Sequence, residues 1–250
     1  MSDNSKEDLQ LILESVFDAQ SDIYPLSIIP TKATAYGIKT DSRDYSCVYF
    51  ASPSLLLSLD SEAAQLEEHY SLNKDSITLE CLELGNWCRE ILRGEPWDFE
   101  FCDLPFLYRD EQFKVFEQLA MGVINQKLIK SYLILSDITP APALYAFNGY
   151  FRILQGIYTA REGKLIHEAK SLIELADKNN APSYKDIIQK LEEDNTVLSY
   201  TEIGRVREEQ EQLRDVLQKA LEDTSLPESY NDEQYEKLNA ELLRFRRSFL

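Results

Sequence analysis

Residues 35–46 read Ala35-Tyr36-Gly37-Ile38-Lys39-Thr40-Asp41-Ser42-Arg43-Asp44-Tyr45-Ser46, and this stretch decides how the first half of the chain is interpreted. It leads into residues 45–50, a run of aromatic and β-branched side chains that predicts a β-strand. Asp44 and Ser46 are two residues apart, so on a strand their side chains project from the same face. The stretch therefore predicts two oxygen-bearing side chains side by side on one face of a sheet.

Two further segments have the composition of strands. Residues 23–29 and 76–82 are short, apolar and bounded by Pro, Asp, Ser or Asn. Apolar side chains recur at helical spacing over residues 5–19, and residues 83–93 predict a second helix that ends before Gly94. The first hundred residues are therefore predicted to mix helices with a small sheet.

From about residue 110 onward the apolar pattern is helical. The predicted helices cover residues 110–136, 141–161, 165–178, 183–194, 199–223 and 231–248. They are separated by breaks that contain Pro140, Pro142, Gly163, Pro182 and Pro227. The predicted fold class is α+β, with a small mixed-sheet domain over residues 1–108 followed by an all-helical domain over residues 109–250.

The charge of the chain limits its partners. It has 44 acidic and 26 basic residues, a formal net charge of -18. Binding to duplex nucleic acid relies on Lys and Arg, so a duplex is not an expected ligand. The acidic residues are dispersed and interleaved with basic ones, which is typical of solvated helix faces, although an acidic surface could also bind a basic partner protein.

Nothing in the sequence predicts a membrane segment or a metal-binding cysteine cluster. There is no run of about 18 apolar residues, and the first eight residues are polar and acidic, unlike a signal peptide. The four cysteines have no C-x-x-C spacing, so we expect reduced, mostly buried thiols. A cytoplasmic protein that does not insert into membranes is expected.

Taken with its surroundings, the opening stretch resembles the active-site motif of the DNA polymerase beta-like nucleotidyltransferases. The similarity is to the bacterial and phage branch of predicted nucleotidyltransferases, whose signature is roughly G-S-x-A-Y-G-L-x-T-P-x-S-D-Y-D. Two later segments are similar to the same branch: Glu83-Leu84-Gly85-Asn86-Trp87 with the residues through Phe101, and Asn148-Gly149-Tyr150-Phe151-Arg152-Ile153-Leu154-Gln155-Gly156 with Glu162-Gly163-Lys164-Leu165. These fragments occur in the family's order over residues 25–170, so the resemblance implies a nucleotidyltransferase-like fold.

The resemblance also implies a metal site, and several of its positions are altered here. In the family, two alternating aspartates and a third carboxylate on a nearby strand hold Mg²⁺. Asp44 matches the first aspartate, but Ser46 occupies the second position and has no charge. Thr78 falls at the third position in the best register, with Glu80 two residues later on the same strand face. The implied catalytic residues are Asp44, Ser46 and Glu80, with Asp44 and Glu80 as the Mg²⁺ ligands.

The nucleotide-binding positions are altered as well. The family's glycine-serine pair, which holds the triphosphate, corresponds here to Lys32 and Ala33. Lysine cannot reproduce the close backbone approach of glycine, although its ammonium could contact a phosphate. The resemblance implies that the nucleotide contacts come from Lys32, Ala33, Tyr36, Gly37, Lys39, Arg43 and Arg152.

Each of these residues also has a structural interpretation. Asp44 could cap a turn, because the Asp-Ser-Arg-Asp sequence is typical of turns. Lys39 and Arg43 could be solvated partners of neighbouring acids. Arg152 could be a surface arginine whose stem covers an apolar neighbour. The sequence leaves these alternatives open.

Two functions are compatible with these observations. The first is a nucleotidyltransferase-fold protein, descended from an enzyme that transfers a nucleoside monophosphate from an NTP to an acceptor, whose catalysis is weakened or lost. The altered positions argue for that loss, since removing a charged ligand from a two-metal site raises the barrier by several kcal/mol. The second is a noncatalytic acidic protein, encoded by a phage or mobile element, that binds or inhibits a host or partner protein.

Overall fold

The computed structural model describes residues 3–18, 22–31, 36–38, 43–56, 69–72, 77–102, 104–136, 141–193 and 196–249. Within these ranges the protein consists of a five-stranded mixed sheet followed by a set of packed helices. The predicted α+β fold class, a small mixed sheet followed by helices, is confirmed. None of the described helices combines the length and the apolar character needed to cross a membrane.

The sheet contains the three predicted strands and two that were not predicted. The strands are β1 (Ile23–Pro30), β2 (Asp44–Ala51), β3 (His69–Leu72), β4 (Ile77–Glu83) and β5 (Tyr108–Arg109). They lie in the order β3-β4-β2-β1-β5. Strands β2 and β4 are parallel, whereas the other neighbouring pairs are antiparallel.

The parallel pairing of β2 and β4 sets the positions of the motif residues. Asp44 lies opposite Thr78, and Ser46 lies opposite Glu80. Residues paired in this way project from the same face, and alternation along each strand keeps all four side chains on one side of the sheet. Thr78, which the sequence analysis assigns to the third carboxylate position, thus lies directly opposite Asp44.

The two faces of the sheet pack against different parts of the chain. One face, with Tyr45, Cys47 and Tyr49, packs on helix α1 (Asp3–Ile12) and the π-helical turn that follows it, Leu13–Phe17. The other face, with Val48 and Phe50, belongs to the larger apolar core formed with the later helices. Ser46 and Glu80 are on this second face, so they point toward the helical part of the molecule.

Ten more helices complete the described fold. They are α2 (Pro53–Leu56), α3 (Leu84–Arg93), α4 (Pro96–Phe99), α5 (Phe113–Met121), α6 (Gln126–Leu135), α7 (Ala143–Glu162), α8 (Ile173–Lys178), α9 (Ser183–Glu192), α10 (Tyr200–Asp223) and α11 (Asp232–Arg247). Short 3₁₀ turns, Glu100–Cys102 and Ala169–Leu172, follow α4 and precede α8. Gly94 and Gly163 end α3 and α7 in the left-handed conformation, with φ of 84° and 65°.

Two predicted helices are shorter or divided in the structure. Residues 110–136 form α5 and α6, because the backbone leaves the helix at Gly122 and restarts at Asn125, whose side chain accepts a hydrogen bond from Lys127 N. Residues 165–178 begin with extended backbone and a 3₁₀ turn, so only α8 is α-helical there. In the first of these places the Asn125 cap interrupts an apolar pattern that is continuous in the sequence.

Helix α7 lies at the centre of the helical part and is buried along most of its length. Its Gly156 allows α10 to approach closely, since a Cβ at that position would lie 2.8 Å from Leu217 Cδ1. The larger core runs without interruption from Val48 and Phe50 in the sheet to Phe245 in α11. The predicted domain boundary at residue 108 falls within β5, and this core extends across it.

Candidate functional site

A cavity of about 490 Å³ lies between the helix-facing side of the sheet and the helices. Ile29, Ser46, Cys47, Glu80, Cys81 and Leu82 line it from the sheet, and Thr31 lines it directly after β1. Tyr36, Trp97, Asp98, Glu100, Phe101 and Asn148 line it from the loop before β2, from α4 and its 3₁₀ turn, and from α7. Both apolar and hydrogen-bonding surfaces therefore face the same space, as in most small-molecule sites.

Ser46 and Glu80 form the polar part of the cavity floor. They are direct neighbours across β2 and β4, with Ser46 partly buried and Glu80 exposed. Asp44, one step along the same face of β2, is partly buried and is not among the described residues that line the cavity. Of the three predicted catalytic residues, the structure thus brings Ser46 and Glu80 to one cavity and places Asp44 beside it.

Tyr36 connects the cavity wall to a buried ion pair. Its hydroxyl donates a hydrogen bond to Glu100 Oε1 at 2.7 Å, and Arg152 Nη2 donates to the same carboxylate oxygen at 2.7 Å and to the Tyr36 oxygen at 2.9 Å. All three side chains are at least 96% buried, and burial together with the negative charge of Glu100 raises the pKa of Tyr36 well above its usual value. Tyr36 is therefore neutral, and its hydroxyl group is held in place by hydrogen bonds with Glu100 and Arg152.

Arg152 lies behind the cavity wall. It is 3% exposed, so the alternative that it is a surface arginine is wrong. Its Nη1 donates to Gln155 Oε1 at 3.1 Å, and Gln155 in turn donates to the Ile166 carbonyl at 2.9 Å. Burial alone would lower the pKa of Arg152, but the neighbouring Tyr36 and Glu100 raise it, so the guanidinium stays charged.

Trp97 lies between this hydrogen-bonded network and the solvent. The Arg152 Cζ atom lies 3.8 Å from the centroid of the Trp97 ring, within the range of a cation–π contact. Trp97 is 50% exposed, in contrast to Trp87, which is fully buried and donates its indole N–H to the Asp98 carbonyl at 3.0 Å. The chain thus holds an exposed indole against a buried cation at the edge of the cavity.

Asp98 adds a carboxyl group with a raised pKa to the cavity. It is 8% exposed, and burial, followed by the negative charges of Glu90, Glu95 and Glu100, raises its pKa to about 8. At neutral pH the group is largely protonated, so it can donate as well as accept a hydrogen bond. The cavity is therefore less negative at neutral pH than a count of its carboxyl groups suggests.

The remaining predicted nucleotide contacts lie elsewhere or outside the described ranges. Arg43 forms an ion pair with Asp8 of α1, and Tyr45 donates its hydroxyl to the same carboxylate, so both side chains are on the opposite side of the sheet from the cavity. Gly37 follows Tyr36 with a φ of 78°, a conformation that favours glycine. Lys32, Ala33 and Lys39 lie outside the described residues.

The oxygen ligands at the cavity floor are better suited to one Mg²⁺ ion than to two. In the described part of the chain, no three or more His, Cys, Asp or Glu side chains are grouped so that they could hold a metal ion. Mg²⁺ is, however, commonly held by one or two carboxylates together with the phosphates of a substrate and water. The Glu80 carboxylate and the Ser46 hydroxyl fit that smaller role.

The residues that the sequence analysis missed are Trp97, Asp98 and Glu100. They lie in a segment that was noted only as part of a longer similarity, with no role assigned to any of the three. One signal was available, since Glu95-Pro96-Trp97 places a proline at the first position of a short helix, directly before the aromatic residue. The partner that makes Trp97 notable, Arg152, lies 55 positions later in the sequence.

No protein-family model matches the sequence, and no curated protein matches it. Among solved structures, one similar chain is a nucleotidyltransferase-like protein from Exiguobacterium sibiricum 255-15, at 11% sequence identity and a TM-score of 0.32. The alignment covers 97% of this chain and 80% of that one. A superposition this loose identifies neither a family nor a function.

Proposed function

We propose that the cavity binds a nucleoside triphosphate together with Mg²⁺, as the site of a nucleotidyltransferase-type domain whose transfer activity is weak or lost. The observation that carries this proposal is the pairing of Ser46 with Glu80 on adjacent parallel strands at the cavity floor, with Tyr36 of the same motif in the wall. Ser46 occupies the second aspartate position of the motif, and Glu80 lies two residues after Thr78, the third position in the best register, on the same strand face.

The carboxyl groups around the cavity favour binding of the nucleotide together with Mg²⁺. The described lining residues include Glu80, Asp98 and Glu100 but no Lys or Arg, and Arg152, behind the cavity wall, is ion-paired with Glu100. A bare triphosphate would be repelled by Glu80, whereas a magnesium complex would bring its own positive charge to that carboxylate. Lys32 or Lys39 could contribute the remaining phosphate contacts in this proposal.

The same residues account for weak transfer. Two-metal phosphoryl and nucleotidyl transfer needs enough carboxylates to hold both ions beside the attacking and leaving oxygens. Ser46 supplies an oxygen without charge where a second carboxylate would be needed, and Thr78 lies beside Asp44. One bridging Mg²⁺ would hold the nucleotide without activating the acceptor hydroxyl.

Calorimetric titration with each NTP, with and without Mg²⁺, tests the proposal. Binding should require Mg²⁺, weaken at least about tenfold in Glu80→Gln, and remain unchanged in Glu211→Gln, an exposed site on α10. Ser46→Asp should strengthen Mg²⁺ binding and increase transfer of labelled nucleotide to candidate acceptors. Absence of binding at millimolar NTP, together with a stable protein partner in pull-down, would instead favour the interaction-protein hypothesis.

A further inference from the structure

Trp97 is half exposed, although the neighbouring apolar residues of its helical turn are buried. The exposed fraction is 50% for Trp97, and the buried residues are Pro96 and Phe99. The indole lines the same cavity as Ser46 and Glu80. A large aromatic ring kept at the wall of a cavity is a surface on which a ligand can pack.

The ring is also held rigidly. Arg152 contacts it at 3.8 Å and is itself fixed by hydrogen bonds to Glu100, Tyr36 and Gln155. The helix turn that carries Trp97 begins with Pro96 at its first position, and the Asp98 carbonyl accepts the Trp87 indole N–H. Since little side-chain freedom remains to be lost, a ligand that stacks on this ring pays a small entropic cost.

The chemistry of this surface selects a flat, conjugated ring. A cation on one face of an indole leaves the opposite face for stacking, and aromatic rings prefer offset, parallel contacts of this kind. Nucleobases stack on aromatic side chains irrespective of sequence because every base has a π face. Asn148 and Asp98, which line the same cavity, supply hydrogen-bonding groups for the edge of such a ring.

We propose that Trp97 is the base-stacking residue of the cavity, with the Arg152–Glu100 pair as its rigid support. This inference rests on the proposed function, because it places the base on Trp97 while the magnesium triphosphate lies toward Ser46 and Glu80. The ligand class is a nucleotide with any of the common bases. Trp97 discriminates between ligands that carry a base and polyphosphates that do not.

Intrinsic fluorescence provides a direct measurement, because Trp87 and Trp97 are the two tryptophans and Trp87 is fully buried. Titration with Mg²⁺–ATP or Mg²⁺–GTP should quench the exposed indole. Trp97→Leu should weaken NTP binding about 5- to 100-fold in calorimetry and leave Mg²⁺–tripolyphosphate binding unchanged. Trp97→Phe, which keeps a ring, should retain most of the affinity, and Tyr200→Leu, at a 94% exposed aromatic on α10, should retain all of it.

The outcomes separate this inference from the proposed function. Equal NTP affinity in Trp97→Leu and the unmodified protein would overturn the stacking role while leaving the magnesium triphosphate site intact. If neither NTP nor tripolyphosphate binds, the proposed function fails, and adenosine quenching of the unmodified protein then decides the stacking role by itself. Should Trp97→Leu not fold, NMR saturation transfer between indole and base protons in the unmodified protein decides it, and no transfer overturns it.

Discussion

Arg152 Nη2 and Glu100 Oε1 lie 2.7 Å apart in an ion pair that is almost completely buried and joins α7 to the turn after α4. Removing only the cation leaves the buried Glu100 carboxylate without a compensating charge, which typically costs about 3–5 kcal/mol of stability. Arg152→Met should therefore show that loss in urea denaturation.

Replacing both partners of the ion pair tests whether the loss of stability comes from the unpaired charge. The double variant Arg152→Met with Glu100→Leu should recover a large part of the lost stability, because no uncompensated charge remains. Arg161→Met, at an exposed arginine later on the same helix, is the control and should change stability by less than about 0.5 kcal/mol. A loss below about 1 kcal/mol in Arg152→Met would mean that the pair contributes little.

The raised pKa of Asp98 predicts a pH-dependent stability. Between about pH 4 and pH 8 the folded protein binds a proton at Asp98 that the unfolded chain releases, so this contribution falls as the pH rises. Asp98→Asn removes it, and the variant should gain stability relative to the unmodified protein from pH 5 to pH 8, by at most about 4 kcal/mol.

Urea denaturation at several pH values measures this difference, with Glu211→Gln as an exposed control that should follow the unmodified protein. A difference that stays constant with pH would show that Asp98 titrates normally.

Two glycines in helices should respond oppositely to alanine. A Cβ at Gly156 would lie 2.8 Å from Leu217 Cδ1 and 3.2 Å from Tyr132 Cβ, whereas one at Gly204 would have no atom within 4 Å. Gly156→Ala should therefore lose about 1–3 kcal/mol through overpacking, and Gly204→Ala should gain about 0.5–1 kcal/mol through helix propensity. Thermal denaturation of both variants checks the sign, and stabilisation by Gly156→Ala would show that α7 and α10 separate easily.

Arg246 should be more important for the position of α11 than its neighbour Arg247. Its Nη2 donates to both oxygens of Glu83, at 3.0 and 3.2 Å, and Glu83 also accepts the Gly85 N–H at the start of α3. Arg246→Met should cost about 1–3 kcal/mol and increase hydrogen exchange in α11, whereas the exposed Arg247→Met should do neither. Equal exchange in the two variants would assign the docking of α11 to its apolar residues alone.

The sequence predicts best what depends on neighbouring residues. Helix α10 begins where Ser199 and Glu202 form a capping box, and α7 ends at Gly163, both close to the predicted boundaries. The alternation around Asp44 and Ser46 correctly predicts which side chains share a strand face. Even the division of residues 110–136 is encoded locally, in Gly122 and Asn125, although the continuous apolar pattern conceals it.

Partners that are distant in sequence could not be predicted in the same way. Arg43 and Arg152 are both arginines near motif residues. Arg43 pairs with Asp8, 35 positions away, on the side of the sheet opposite the cavity. Arg152 pairs with Glu100, 52 positions away, inside the core. Nothing in the local pattern distinguishes these ion-paired arginines from free cations. The prediction that Arg152 binds nucleotide directly therefore becomes, in our proposal, a supporting role behind Trp97.

The apolar core that runs from Val48 and Phe50 to Phe245 has a consequence for biosynthesis. Translation completes the sheet long before α11, so the part of the sheet at Phe50 that Phe245 covers stays uncovered until about two hundred residues later. The early part of the chain is then exposed to premature association with other chains. A chaperone that shields apolar surface would be most useful to this protein in that interval.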